Sequence, residues 1–125
     1  NNNLSNIDIS QKITLINFFA SWCVPCVSEH PLFFNIKKKF PNLLIIGINH
    51  KDKKDEAIAF IATHGNPYDK IVSDFDGKIA FKFGVLGLPE TYLTNNNGKI
   101  IYKHAGKLTE KIIKKEIFSY LNDLK

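Results

Sequence analysis

Two cysteines, Cys23 and Cys26, are the only thiols in this chain, and they lie two residues apart in Trp22-Cys23-Val24-Pro25-Cys26. Two thiols at that spacing can close and reopen a disulfide, because the second is always within reach of a mixed disulfide on the first. The attacking species is a thiolate, so one thiol must ionise near neutral pH. Cys23 falls at or just before a helix start, where unpaired N–H groups and the helix dipole favour negative charge. Cys23 is therefore the expected nucleophile, and Cys26, one turn further and more enclosed, the resolving thiol. A structural bridge is the weaker reading, since a loop this short constrains the unfolded chain little. A zinc corner would need a second ligand pair, which the chain lacks. Val27 after Cys26 excludes a Cys-x-x-Cys-His haem attachment site.

These residues need a frame. The apolar run 13–20, rich in β-branched and aromatic residues, suits a buried strand ending just before the cysteines. Residues 24–40 read as a helix with Val27, Leu32, Phe33, Ile36 and Phe40 inward. Pro25 suits its first turn, and Pro31 should kink it. Residues 43–49 read as a second buried strand, and 55–64 as a helix closed by Gly65. The stretch 66–87 is less regular, with a short strand at 71–73 and a short helix at 77–83. Strands at 90–94 and 99–104 flank Asn95-Asn-Asn-Gly98, a hairpin signal because Asn-Gly tolerates positive φ. An amphipathic helix spans 109–124, with Ile112, Ile113, Ile117, Tyr120, Leu121 and Leu124 on its apolar face. This order implies an α/β domain, a mixed sheet covered by helices on both faces.

A chain of 125 residues with 44% hydrophobic content can bury a core without disulfide staples. Its net charge of +5 comes from 17 lysines against 12 acidic residues, with no arginine. Dispersed lysines without arginine argue against nucleic acid as a partner. No stretch reaches the roughly 18 apolar residues that span a bilayer, and no signal-peptide pattern opens the chain. Asn1, Asn2 and Asn3 read as a cut end, so the lack of a targeting or anchoring segment here is no evidence of a cytosolic home.

Taken with Pro89 ahead of a hairpin strand and the final helix, the Trp-Cys-x-x-Cys motif resembles the thioredoxin fold. Glu29-His30-Pro31 after the cysteines, Gly65-Asn66-Pro67-Tyr68, Gly84-Val-Leu-Gly-Leu-Pro89-Glu90-Thr91 and Tyr102-Lys-His104-Ala-Gly106 narrow the likeness to the CcmG/DsbE proteins of cytochrome c maturation. The resemblance runs from about residue 15 to the end. It implies a single thioredoxin-like domain over 1–125, with a central mixed sheet flanked by helices. An insert separates the second strand from the cis-proline hairpin. It also implies a reductase in the periplasm, tethered to the inner membrane. Its substrates would be the cysteines of apocytochrome c or of a haem-lyase component, and a transmembrane thiol reductase would supply its electrons. No cofactor is implied.

The resemblance further assigns site residues. Pro89 would be cis beside the disulfide, leaving the backbone of Leu88 to pair with an extended substrate. Without the resemblance, Pro89 would be an ordinary strand-entry proline. Asn17 stands where thioredoxin has a buried acid and cannot take a proton from Cys26, which points proton handling to Glu29 and Glu90. Glu90, next to Pro89, is expected near the sulfurs, where its charge would raise a thiol pKa. Glu29 has an equal claim to be an ordinary carboxylate of the first helical turns. Trp22 would shield the disulfide and offer contact surface, with a core role as its rival, and Val24 and Pro25 complete that surface. His30, His50, His64 and His104 share no ligand spacing, and Asp74-x-Asp76-Gly77 reads as a turn, so no metal is assigned. Two other functions stay open: a tethered reductase for other periplasmic thiols such as copper-site cysteines, and a copper or haem chaperone without redox turnover. The absence of methionine weighs against the chaperone, and a peroxidase would need a lone peroxidatic cysteine.

Overall fold

The structure, a computed structural model, describes residues 12–124. Asn1, Asn2 and Asn3 lie outside the described residues. Five strands form one mixed sheet: β1 (Thr14–Phe19), β2 (Leu44–His50), β3 (Lys70–Asp74), β4 (Glu90–Thr94) and β5 (Ile100–Ala105), in the spatial order β3-β2-β1-β4-β5. β1 pairs parallel with β2 and antiparallel with β4. As the central strand it is buried on both faces, which explains its unbroken apolar run. The helices are α1 (Val24–Lys39), α2 (Lys54–His64), α3 (Lys78–Phe83), α4 (Glu110–Ile112) and α5 (Phe118–Asp123).

Alternation along β1 divides the core in two. Leu15 and Phe19 join Cys23, Cys26, Phe33, Ile36, Phe60, Tyr68, Leu93 and the C-terminal helical segment on one face. Ile16 and Phe18 join Ile46, Ile48, Val72, Ala80 and Tyr92 on the other, under α3. α1 runs through Pro31 to Lys39, with that proline on its exposed side. The final helix is not uniform: residues Ile113–Ile117 are π-helical between α4 and α5, and Ile113, Ile117 and Leu121 all lie in the core. Hydrophobic periodicity does not announce that wider turn. β3 and α3 lie within a residue at each end of the short strand and short helix expected in the less regular stretch. Among the described residues, no helix is long and apolar enough to cross a membrane.

Candidate redox site

β1 ends at Phe19, and the chain turns over residues 20–23 into α1, the turn closed by the Cys23 N–H donating to the Ala20 carbonyl at 3.2 Å. Cys23 is the N-cap of α1. Its backbone is extended (φ −99°, ψ 107°), and its Sγ accepts from the Cys26 N–H at 3.3 Å. Pro25 occupies the first helical turn, where no N–H is needed. Cys23 and Cys26 are joined as a disulfide, with Cα atoms 5.3 Å apart. Cys26 is the more enclosed of the two by a small margin, 2% against 5% exposed.

Exposed apolar side chains flank this buried pair along the chain. Trp22 is 57% exposed, which removes it from the core, and its ring lies 6.4 Å from that of His50. Val24 and Pro25 are exposed as well. The Leu88–Pro89 peptide bond is cis, Pro89 is buried, and its carbonyl accepts from Gly106. Among the described residues, nothing hydrogen-bonds to the backbone of Leu88.

Glu29, on the buried side of α1 with Cys26, belongs to a buried polar cluster. Asn17 donates through Nδ2 to Glu29 Oε2 at 2.8 Å and to Thr91 Oγ1 at 3.2 Å. The Tyr68 hydroxyl donates to Asn17 Oδ1 at 2.8 Å, and the Leu108 N–H donates to Glu29 Oε1 at 2.9 Å. Glu29 is one helical turn beyond Cys26, so both side chains lie on the same face of α1. Burial raises the Glu29 carboxyl to about 7, against the lowering effect of the Leu108 and Asn17 hydrogen bonds and of the Lys107 charge. Burial also raises the Tyr68 hydroxyl, helped by the Glu29 charge. The next residue, His30, donates through Nε2 to the Gly65 carbonyl at 2.8 Å among the rings of Phe60 and Tyr68. Burial there lowers its pKa.

Glu90 departs from its expected place. It pairs with Phe18 across β1 and β4, and strand alternation therefore turns its side chain to the α3 face, opposite Asn17, Thr91 and Glu29. There Glu90 Oε1 accepts from the Tyr92 hydroxyl at 2.7 Å and sits 3.6 Å from Lys103 Nζ, while Oε2 accepts from the Leu86 N–H at 3.3 Å. Sequence proximity to Pro89 suggested a carboxylate near the sulfurs; the parity of the strand turns it to the α3 face, with Tyr92, Lys103 and Leu86 as its partners.

Two contributors went unassigned in the sequence: Tyr68 and Thr91. The motif Gly65-Asn66-Pro67-Tyr68 pointed at the first, since Asn66 Oδ1 accepts from the Tyr68 N–H at 3.0 Å and turns its ring inward. Thr91 follows from the pairing of β4 with β1 opposite Asn17. Asp74, in the stretch read as a turn, caps α3 by accepting from the Ile79 and Ala80 N–H groups and holds His50 Nδ1 at 3.0 Å.

Comparison with known proteins agrees with this geometry. The family model described as "AhpC/TSA family" matches residues 1–103. The chain is 45% identical over 106 residues to the thiol:disulfide interchange protein CycY of Rhizobium leguminosarum bv. viciae, covering 85% of this chain and 56% of that protein. It is 37% identical over 106 residues to the thiol:disulfide interchange protein DsbE of Escherichia coli K12, again covering 85% and 56%. The chain thus spans somewhat over half the length of these relatives. Among solved structures, it is similar to one from Chlorobium tepidum described as a thiol:disulfide interchange protein DsbE, with a TM-score of 0.80 and 25% identity over 91% of this chain and 83% of that one. An oxidised thioredoxin-like protein in solution has the same fold, with a TM-score of 0.81 at 20% identity over 100% and 88% of the two chains.

Proposed function

Because the chain belongs to the AhpC/TSA family and has the thioredoxin-like fold, we propose that it is a protein thiol–disulfide oxidoreductase working through Cys23 and Cys26. The observation that carries this is the N-cap placement of Cys23, whose sulfur already accepts an N–H bond from Cys26. In the reduced protein the same N–H and the helix N-terminus favour the Cys23 thiolate. That thiolate attacks one sulfur of a substrate disulfide. A Cys23–substrate S–S bond forms, the substrate S–S bond breaks, and the departing sulfur leaves as a thiolate that takes up a proton. Cys26 then loses its proton and attacks Cys23 Sγ. The internal disulfide closes, the second substrate thiol is released, and two electrons have passed to the substrate.

Glu29 is the group we assign to the Cys26 proton. It lies one turn away on the same helix face, and its carboxyl, raised to about 7, can both take and give a proton near neutral pH. Trp22, Val24, Pro25 and Leu88 form the contact surface, with Pro89 holding the Leu88 backbone open for an extended substrate strand. Glu90 serves as a positioning residue for the loop ahead of Pro89, through its bond to the Leu86 N–H.

The finer reading is reduction of apocytochrome c or haem-lyase cysteines during cytochrome c maturation. The domain would be tethered to the inner membrane on the periplasmic side and re-reduced by a transmembrane thiol reductase. What supports it is the block Gly84–Thr91 together with Glu29 and Tyr68, and the names of the relatives. The test is a competition assay in which the reduced domain is offered the disulfide form of a Cys-x-x-Cys-His peptide and an unrelated disulfide peptide. Faster reduction of the haem-motif peptide is expected. Equal rates would remove the specialised role and leave a general reductase.

A further inference from the structure

Asp52 is 2% exposed, and three donors converge on its carboxylate. Oδ2 accepts from the Ser21 backbone N–H at 2.7 Å and from Asn49 Nδ2 at 2.8 Å, while Oδ1 accepts from Ser21 Oγ at 2.8 Å. Among the described residues, no cation forms an ion pair with it, so hydrogen bonds alone satisfy this buried charge. Charge-assisted bonds of this kind are about twice as strong as neutral ones. Its placement is deliberate in the backbone. Lys51, just after β2, has φ 54°, the single positive value outside glycine among the described residues. Its N–H donates to the Asp74 carbonyl at 3.0 Å. This left-handed residue reverses the chain at the end of β2 so that Asp52 reaches across to the end of β1.

Two of the three bonds go to Ser21, inside the turn that delivers Cys23 to the helix N-terminus. That turn has one backbone bond of its own, from the Cys23 N–H to the Ala20 carbonyl. Building on the thiol–disulfide reading above, we infer that Asp52 is a positioning residue for Cys23. It clamps Ser21 and thereby holds Cys23 Sγ where the Cys26 N–H and the first turn of α1 stabilise its thiolate.

Position and field make opposite predictions here. As a negative charge near the site, Asp52 would disfavour the thiolate, so removing it would lower the Cys23 pKa. As a clamp, it keeps the N-cap geometry, so removing it raises that pKa. The Cys23 pKa is read from the pH dependence of iodoacetamide alkylation in the reduced Cys26→Ser protein, with and without Asp52→Asn or Ser21→Ala. Asp52→Asn should raise the pKa by roughly half a unit, about a threefold loss of thiolate at a pH below it. Ser21→Ala keeps the carboxylate and removes one of its anchors, so it should raise the pKa by less. It also preserves the test if Asp52→Asn fails to fold. An unchanged or lowered pKa in Asp52→Asn, or in Ser21→Ala alone if only that variant folds, would overturn the assignment. Disulfide exchange by the parent protein is measured in parallel. If that fails while the pKa shifts remain, the functional reading falls and the clamp stands.

Discussion

Asn17 and Glu29 are joined by a hydrogen bond of 2.8 Å between the middle of β1 and the second turn of α1, one turn beyond Cys26. The amide is held in one orientation by Tyr68, whose hydroxyl donates to Oδ1, so Nδ2 must face the carboxylate. Asn17→Asp would replace that donor with a second carboxylate. The variant should lose about 2 kcal/mol or more of stability at pH 8 and much less at pH 5, where the pair can share a proton. Urea denaturation at the two pH values measures the difference; equal losses would show that the bond to Glu29 is not the relevant one.

Glu29 makes stability itself depend on pH. Its folded-state value, about 7, lies above the ordinary 4.5. The stability it contributes is therefore fully present below pH 4.5 and is lost as pH rises through 7. The full span is at most about 3–4 kcal/mol, from about 2.5 pKa units at 1.36 kcal/mol each. In Glu29→Gln, which cannot ionise, the gap between the two proteins should change across this window. Parallel curves for variant and parent between pH 4 and 8 would contradict the raised value.

Glu90 should be silent toward the thiols. Its carboxylate lies on the α3 face with Tyr92 and Leu86. Glu90→Gln is thus expected to leave the Cys23 alkylation pKa in place. Glu90→Ala, which frees the Leu86 N–H, should weaken peptide reduction through KM more than kcat. A shift of the Cys23 pKa in Glu90→Gln would put the charge back within range of the sulfur.

Gly47 sits opposite Asn17 in β2, under the Tyr68 ring. A Cβ there would fall 2.8 Å from two Tyr68 ring carbons and 2.9 Å from Phe19. Gly47→Ala should push that ring off Asn17 and cost about 1–3 kcal/mol by overpacking. Thermal denaturation reads the loss, and adding Tyr68→Phe should change stability less in Gly47→Ala than in the parent, because the hydroxyl bond is already broken.

The sequence carried the frame well because its signals are local. The β-branched run of β1, the Asn95–Gly98 turn and the cysteine spacing each depend on a few neighbouring residues, and the structure places them within a residue or two. What local signals could not carry was parity and reach. Glu90 is adjacent to Pro89 in sequence, yet the register with Phe18 sends its side chain through the sheet. Asp52 lies 31 residues from Ser21 and meets it only because Lys51 adopts a left-handed conformation, which no lysine advertises. Tyr68 was visible as part of a motif, but its bond to Asn17 spans 51 residues. The π-helical turn at Ile113–Ile117 is likewise unmarked, because the apolar spacing of Ile113, Ile117 and Leu121 fits an ordinary α-helix equally well.

The central claim is that Cys23 attacks and Cys26 resolves. Its most direct test mixes reduced Cys26→Ser and Cys23→Ser proteins separately with the disulfide form of a Cys-x-x-Cys-His peptide, and maps the adducts by mass spectrometry. Cys26→Ser should accumulate one peptide per protein, linked through Cys23, while Cys23→Ser should remain largely unmodified over the same time. Adduct formation through Cys26 at an equal or greater rate, or none in Cys26→Ser, would contradict the account.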